Sequence, residues 1–173
     1  MKKPKFILDE MLGSLLRWLR ILGFDAIYAQ ELDCNTSKNL DNVLIDKTEA
    51  TSRILLTKDV ELAKRARQKS QEVVLLSSDE VKENLETVVT QLNLTANEEA
   101  AGKRCPVCNS PLETISTEKA RNMVPRKVWK QQEEFWRCSD PSCRKVFWKG
   151  SHWKKIKETI ELLKSKGKKE NET

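Results

Sequence analysis

Four cysteines in the second half of the chain have the spacing of metal ligands. Cys105 and Cys108 form a C-x2-C pair, and Cys138 and Cys143 form a C-x4-C pair. Zinc binds four thiolates in a tetrahedron, and two tight turns that each bring two cysteines together supply them. A redox-active or coincidental pair would not need the second turn. The spacing therefore predicts a structural zinc site, closed because cysteines fill all four positions.

Two further residues of types that can bind zinc lie outside the two cysteine pairs. Cys34 has no nearby cysteine, and we expect it to be a free thiol. His152 is the single histidine. Four cysteines suffice for zinc, so His152 either packs beside Trp153 or contacts a nucleotide.

Aspartates lie next to several apolar runs that have the composition of strands. Asp9 follows the first run, Asp59 follows the third, and Asp41 opens the helix before the third. Clustered carboxylates repel one another unless a cation neutralises them, and Mg²⁺ or Mn²⁺ prefers such oxygen ligands. The alternative is that Asp41, Asp59 and Asp79 cap helices, which is the better explanation of each residue taken singly, and Asp79 is the weakest metal candidate because the serines before it explain it as part of a cap. Other acids that could contribute are Glu10, Asp46, Glu49 and Glu61.

Tryptophans in the second half of the chain alternate with lysines and arginines. Aromatic rings stack on unpaired bases while cations hold phosphates, a combination typical of proteins that bind single-stranded nucleic acid. A small zinc module also uses tryptophan to fill its core, and we expect both uses. The four tryptophans are Trp129, Trp136, Trp148 and Trp153.

Charge is distributed unevenly along the 173 residues. The whole chain carries 32 basic and 26 acidic side chains, for a net charge of +6. Residues 1–100 have a net charge of −3, and residues 101–173 have a net charge of +9. A basic segment beside an acidic one suggests a polyanion as partner. No apolar stretch is long enough to span a membrane, and the start does not have the pattern of a signal peptide, so we expect a cytoplasmic protein.

Strand-like and helix-like patterns alternate through the first half. The predicted strands are 5–8, 25–29, 53–57 and 72–76, and the predicted helices are 11–22, 41–51, 59–69 and 78–92. This alternation predicts an α/β fold of three layers, with a parallel sheet between helices on both faces. Right-handed crossovers then place the carboxyl ends of all strands, and the aspartates beside them, at one edge.

Composition divides the chain into three parts and a linker. We expect the α/β domain over 1–95, a polar linker over 93–103, the zinc module with its following helix over 103–158, and a charged tail over 159–173. The helix after Trp153 carries Ile156, Ile160 and Leu163 on one stripe, which predicts a docking face.

Several blocks of the sequence resemble the Mut-seven C-terminal RNase family, whose members join a PIN-like domain to a zinc ribbon. The blocks are FILDEMLGSLLRWLRILGFD from residue 6, RILLTKDVELA from residue 53, the two cysteine pairs, and VFWKGSHW from residue 146. The C-x4-C pair is longer than is usual for the family, and residues 40–52 match it poorly, with Asn42 where a second acid is often found.

The resemblance implies a metal-dependent ribonuclease with Mg²⁺ or Mn²⁺ at Asp9, Asp41 and Asp59. Asp46 and Glu49 remain alternatives for the middle carboxylate. The residues that we expect to contact RNA are Arg17, Arg20 and Lys58 in the first half, with Lys149, His152 and Trp153 in the second.

Three functions agree with these observations. The leading hypothesis is a cytoplasmic ribonuclease in which the aspartates cut and the zinc ribbon binds RNA. The second is a non-catalytic RNA-binding or ribosome-associated protein that retains the PIN-like fold. The third is a toxin-type PIN nuclease, against which the additional ribbon argues. The oligomeric state is left open.

Overall fold

A computed structural model describes residues 3–32 and 40–168 of the chain. The first domain is built on a four-stranded sheet in the order β2-β1-β3-β4, and all three strand pairs are parallel. The predicted parallel sheet is therefore confirmed. The strands are β1 (Lys5–Leu8), β2 (Asp25–Tyr28), β3 (Ile54–Thr57) and β4 (Val73–Leu75).

Four helices cover the two faces of this sheet, as the alternating pattern predicts. Successive side chains of a strand point to opposite faces, so Phe6 and Leu8 pack on one side and Ile7 on the other. The first face meets α1, α4 and the C-terminal helix, and the second face meets α2 and α3. The helices of this domain are α1 (Gly13–Ile21), α2 (Leu40–Thr51), α3 (Val60–Gln68) and α4 (Val81–Gln91), with 3-10 turns at Glu10–Leu12 and Ala29–Glu31.

The second module, which contains the two cysteine pairs and is called the ribbon below, is a separate antiparallel sheet in the order β5-β6-β7. Two short helices lie between β5 and β6 in the sequence. Phe135 is fully buried and packs with Ile115 and Ala120 in a very small core, and Trp148 is only partly buried against it. The elements are β5 (Leu112–Ile115), α5 (Thr117–Ala120), α6 (Arg126–Gln131), β6 (Phe135–Cys138), β7 (Val146–Trp148) and α7 (His152–Lys168).

Helix α7 returns the chain to the first domain. Ile160 and Leu163 are buried in the core formed with α1 and α4, so the predicted docking stripe is confirmed. The predicted charged tail over 159–173 begins too early, because residues 159–168 continue the helix. Apolar residues at helical spacing keep this lysine-rich segment on the domain.

The polar segment 93–103 also packs on the first domain. Ala96 and Ala100 are buried, and the N–H of Gly102 donates to the carbonyl of Ile21 (2.9 Å). Gly23 ends α1 with φ of +86°, and a Cβ there would lie 2.2 Å from the carbonyl oxygen of Ala100. The connection therefore fixes the ribbon's position instead of acting as a free linker.

Polar contacts dock the first cysteine turn on the edge strand β2. Asn109, which follows Cys108, accepts a hydrogen bond from the N–H of Ala26 (3.2 Å) and donates one to Asp25 (2.9 Å). Asp25 also accepts from Arg53 (2.8 Å) and lies 3.8 Å from Arg104. Backbone groups of an edge strand need partners, and the ribbon supplies one of them.

Burial alone would raise the pKa of Asp25. Hydrogen bonds from Arg53 and Asn109, with the charges of Arg53 and Arg104, outweigh burial and lower the pKa below its ordinary value of 3.8. The ionised carboxylate therefore stabilises the fold above that ordinary value, and this contribution is lost as the pH falls through the folded-state pKa.

We predict that Asp25→Asn lowers the free energy of unfolding at pH 7 by about 1–2 kcal/mol, because charge-assisted hydrogen bonds are lost. The difference from the wild type should narrow only as the pH falls below 3.8 toward the lowered pKa of Asp25 in the folded state. Urea unfolding at pH 7 and pH 3 measures both values. An equal difference at both pH values would contradict this role of the ionised carboxylate.

Candidate functional site

The four cysteines converge as their spacing predicts. Their sulfur atoms all lie within 4.8 Å of one another, and all four thiols are free. Cys105 and Cys143 sulfurs are 3.8 Å apart, and those of Cys108 and Cys138 are 3.3 Å apart. Four sulfurs at ~2.3 Å around one zinc ion would be separated by about 3.8 Å. The cluster could hold a metal ion such as zinc.

The surroundings of the cluster shift the pKa values of its thiols in different directions. Burial raises the pKa of Cys105 and of Cys138. Burial has the same tendency at Cys108, but hydrogen bonds from the backbone and hydroxyl of Ser110 outweigh it and lower the pKa to about 7. The remaining cysteine, Cys34, lies outside the described residues.

Asp9 and Asp59 approach each other at the carboxyl ends of β1 and β3. These strands are neighbours, with Leu8 opposite Leu56. The carboxylate of Asp9 is only 8% exposed and accepts hydrogen bonds from the N–H of Glu10 (2.7 Å) and the hydroxyl of Thr57 (3.0 Å). The same Thr57 oxygen accepts from the N–H of Asp59 (2.9 Å). One buried hydroxyl therefore links the two acids.

Asp59 also caps α3. One of its carboxylate oxygens, Oδ1, accepts from the N–H groups of Glu61 (2.8 Å) and Leu62 (3.0 Å). The capping interpretation of this residue is confirmed, but it uses only that oxygen, and the side chain is exposed. The carboxylate of Asp59 could therefore cap the helix with Oδ1 and bind a cation with its other oxygen.

Asp41 stands apart from this pair. It lies in the first turn of α2, which is at the carboxyl edge because α2 runs antiparallel to the strands that it connects. Its Oδ2 forms an ion pair with Arg65 of α3 (2.7 Å), and Arg65 also donates to Asn42. Asp46 and Glu49 lie about 7.5 and 12 Å further along the helix axis from Asp41, away from the edge. Helix direction therefore favours Asp41 over both alternatives.

The acids do not form a preassembled three-carboxylate cluster. Across residues 3–32 and 40–168, the cysteine group is the one set of three or more histidine, cysteine or acidic side chains with ligand atoms within 4.8 Å. Thr57 connects the carboxylate of Asp9 to the backbone of Asp59, and the carboxylate of Asp41 forms an ion pair with Arg65.

The basic residues of the first half have different environments. Arg17 is exposed, and Lys58 forms an ion pair of 2.5 Å with the fully exposed Asp79. Arg20 is 1% exposed and donates to the carbonyls of Ala26 (2.8 Å) and Val107 (2.7 Å) and to Glu31 (2.6 Å). The expectation that Arg20 contacts RNA is therefore corrected: its guanidinium joins β2 to the first cysteine turn.

The basic residues of the ribbon lie beside aromatic rings. The ammonium of Lys149 is 5.5 Å from the ring centre of Trp136 and 5.6 Å from that of Trp153, and it pairs with Glu134 (2.6 Å). His152 is exposed at the start of α7. Lys149, Trp153 and His152 therefore lie close together, on a surface where a ring and a cation are within reach of one ligand.

Sequence reasoning missed Thr57. The residue ends an otherwise apolar strand that is buried on both faces, and it is itself fully buried. A buried hydroxyl must find hydrogen-bond partners. A threonine at the end of such a strand, two residues before Asp59, was the available signal.

We predict that Asp59→Ala lowers the free energy of unfolding by about 0.5–2 kcal/mol, because α3 loses its cap. Asp59→Asn should cost much less, since the amide oxygen still accepts from the helix N–H groups. Urea unfolding of both variants gives the comparison. Equal destabilisation by both changes would show that the cap requires the charge.

Comparison with known proteins gives one family. No curated protein and no solved structure matches the chain. In the part of the chain that the structure describes, no helix is long and apolar enough to cross a lipid bilayer. The sequence profile of the Mut7-C RNAse domain matches residues 4–160. This match covers both the parallel sheet with its acidic edge and the cysteine module, and the chain therefore belongs to the Mut7-C RNAse domain family.

Proposed function

We propose that this protein is a metal-dependent ribonuclease that hydrolyses RNA phosphodiester bonds at the carboxyl edge of the parallel sheet. One observation carries the proposal: the hydroxyl of Thr57 donates to the carboxylate of Asp9 and accepts from the backbone N–H of Asp59, so both acids lie at that edge. Membership of an RNAse domain family supplies the substrate class. The PIN-like character of the fold is part of this proposal.

The carboxylate pair suits a hard divalent cation. Mg²⁺ is commonly held by one or two carboxylates, with waters and substrate phosphates completing its shell, so two aspartates suffice. Bound Mg²⁺ or Mn²⁺ supplies an activated water and neutralises charge on the phosphate during hydrolysis. Asp9 would be the more rigid ligand, because it is buried and held by Thr57. Asp59 would offer the carboxylate oxygen that does not cap α3.

Asp41 is the proposed third acid. Its position at the start of α2 places it at the correct edge, and its ion pair with Arg65 is partly exposed, with about a third of each side chain accessible. Exposed ion pairs contribute little free energy to stability, so a cation bound together with substrate could replace Arg65 as a partner of Asp41. Arg65 would then be available to a phosphate.

The proposed RNA surface extends from the acidic edge to the ribbon. Arg17 is exposed on α1, and Lys58 is adjacent to Asp59. On the ribbon, Lys149 lies between two tryptophan rings beside His152 and Trp153. Stacking on aromatic rings contributes about 1–3 kcal/mol per base and tolerates most sequences, so we expect affinity for single-stranded RNA.

We predict that the wild-type protein cleaves labelled RNA in the presence of Mn²⁺. Asp9→Asn and Asp59→Asn should each slow cleavage at least about a hundredfold, because a lost ligand removes several kcal/mol of transition-state stabilisation. Asp46→Asn is the matched control: it removes an exposed carboxylate from α2 and should leave the rate unchanged. Gel electrophoresis of the products measures the rates.

Two results would contradict this assignment. Cleavage that survives both changes at Asp9 and Asp59 would remove the acidic edge from the reaction. Absent cleavage with intact RNA binding would favour a non-catalytic RNA-binding protein. The observation in favour of that second function is the ion pair of Asp41 with Arg65, which engages the third proposed acid.

We propose further that the cysteine cluster binds one Zn²⁺ and that its role is structural. The four sulfurs all lie within 4.8 Å of one another, and a site filled by thiolates leaves no position for a substrate. Four free thiols also agree with a reducing compartment such as the cytoplasm.

We predict a zinc content near one per chain that falls sharply in Cys105→Ser. Loss of zinc should also unfold the ribbon, because its core of three buried residues is too small to hold it alone. Cys34→Ser is the control, since Cys34 lies outside the two pairs, and its zinc content should match the wild type. Atomic absorption measures both. Full zinc content in Cys105→Ser would contradict the assignment.

A further inference from the structure

A hollow of about 280 Å³ lies beside the second cysteine turn. Pockets for whole small molecules usually measure roughly 300–1,000 Å³, so this one suits a single chemical group. Its lining consists of one buried cysteine and five half-exposed or exposed residues, so the hollow is open to solvent. The lining residues are Arg137, Cys138, Ser139, Asp140, Pro141 and Arg144.

The two arginines of the hollow have no acidic partner among the residues that the structure describes. Elsewhere, Arg20, Arg53 and Arg65 each pair with a carboxylate at 2.6–2.8 Å. Arg137 is half-buried on β6, and Arg144 is exposed in the turn, where its φ of +48° holds the backbone in the left-handed region. Two guanidinium groups that share one hollow without a counter-ion form a positive site.

The one carboxylate in the lining is engaged by its own turn. Asp140 Oδ1 accepts from the N–H of Ser142 (2.8 Å), and the Asp140 carbonyl accepts from the N–H groups of Cys143 (3.1 Å) and Arg144 (3.0 Å). These bonds shape the turn that carries Cys143. Positive charge exceeds negative charge among the side chains at the mouth of the hollow.

We propose that this hollow binds a phosphate group of RNA between Arg137 and Arg144. Guanidinium groups bind phosphate oxygens in paired hydrogen bonds, which an ammonium cannot do in the same geometry. The inference rests on the proposed function, because it names where the ribbon holds the RNA backbone. The site would be a second contact of the ribbon with RNA besides Lys149 and Trp153, because Arg137 and Trp136 are consecutive in β6 and point to opposite faces of that strand.

A different explanation must be tested alongside. Zinc with four thiolates carries a net negative charge, and nearby arginines could simply balance it. The two explanations differ in what is lost when the arginines are removed. A phosphate site predicts weaker RNA binding with unchanged zinc, and charge balance predicts weaker zinc retention.

The test compares the double variant Arg137→Gln/Arg144→Gln with the wild type, at full length and zinc-loaded. Arg126→Gln/Lys127→Gln is the matched control, because it removes two exposed charges from α6, outside the hollow. Fluorescence anisotropy measures affinity for a single-stranded RNA at several salt concentrations, without added Mg²⁺ or Mn²⁺. The RNA carries either a 5′-hydroxyl or a 5′-phosphate, which separates an internal from a terminal phosphate.

The proposal expects RNA affinity to fall at least about tenfold in the double variant and clearly less in the control. The slope of log affinity against log salt should decrease by about 0.7 for one lost phosphate contact. Equal weakening for both RNAs indicates an internal phosphate, and loss of a preference for the 5′-phosphate indicates a terminal one.

Three results would overturn it. The first is unchanged affinity in the double variant, and the second is an equal loss in both double variants. The third is a loss of affinity that follows a loss of zinc. A failure of the proposed function would look different, because the wild-type protein would then bind no RNA or would bind it without cleaving it.

Discussion

The parallel pairing of β1 with β3 is the constraint on which the candidate site depends. Asp9 and Asp59 are 50 positions apart in the chain, and adjacent strands bring their backbones together at one edge. The hydroxyl of Thr57 then fixes their relation by donating to one acid and accepting from the backbone of the other. Strand pairing and one buried hydroxyl therefore determine where both acids lie.

The cysteine module is tied to this sheet by polar contacts as well as by apolar packing. Arg20 is buried and donates to the edge strand and to the carbonyl of Val107 within the first cysteine turn. Asn109 satisfies an N–H of the same strand. Each of these buried groups would be costly without its partner. Formation of the cysteine turns therefore stabilises the sheet that positions Asp9 and Asp59, so the cysteine cluster and these acids belong to one folding unit.

Local sequence patterns were sufficient to predict the architecture. They were insufficient to predict which groups the charged side chains bind. Apolar runs, helical spacing and the handedness of crossovers predicted the parallel sheet, and cysteine spacing predicted the cluster. Arg17 and Arg20 look alike in sequence, yet one is exposed and the other is buried, because Val107 lies 87 positions further along the chain. The ion pair of Asp41 with Arg65 joins two helices and leaves no signal in either one. Long-range contacts of this kind cannot be predicted from the periodicity and spacing of residues in the sequence.

In the proposed function, a divalent cation held by Asp9 and Asp59 contacts the scissile phosphate. The most direct measurement is the cleavage rate of an RNA whose non-bridging phosphate oxygens are replaced by sulfur, compared in Mg²⁺ and Mn²⁺. Mg²⁺ prefers oxygen ligands and Mn²⁺ accepts softer ones. We predict slow cleavage of this RNA in Mg²⁺ and a restored rate in Mn²⁺. The same slow rate in both ions, or cleavage without any divalent ion, would contradict it.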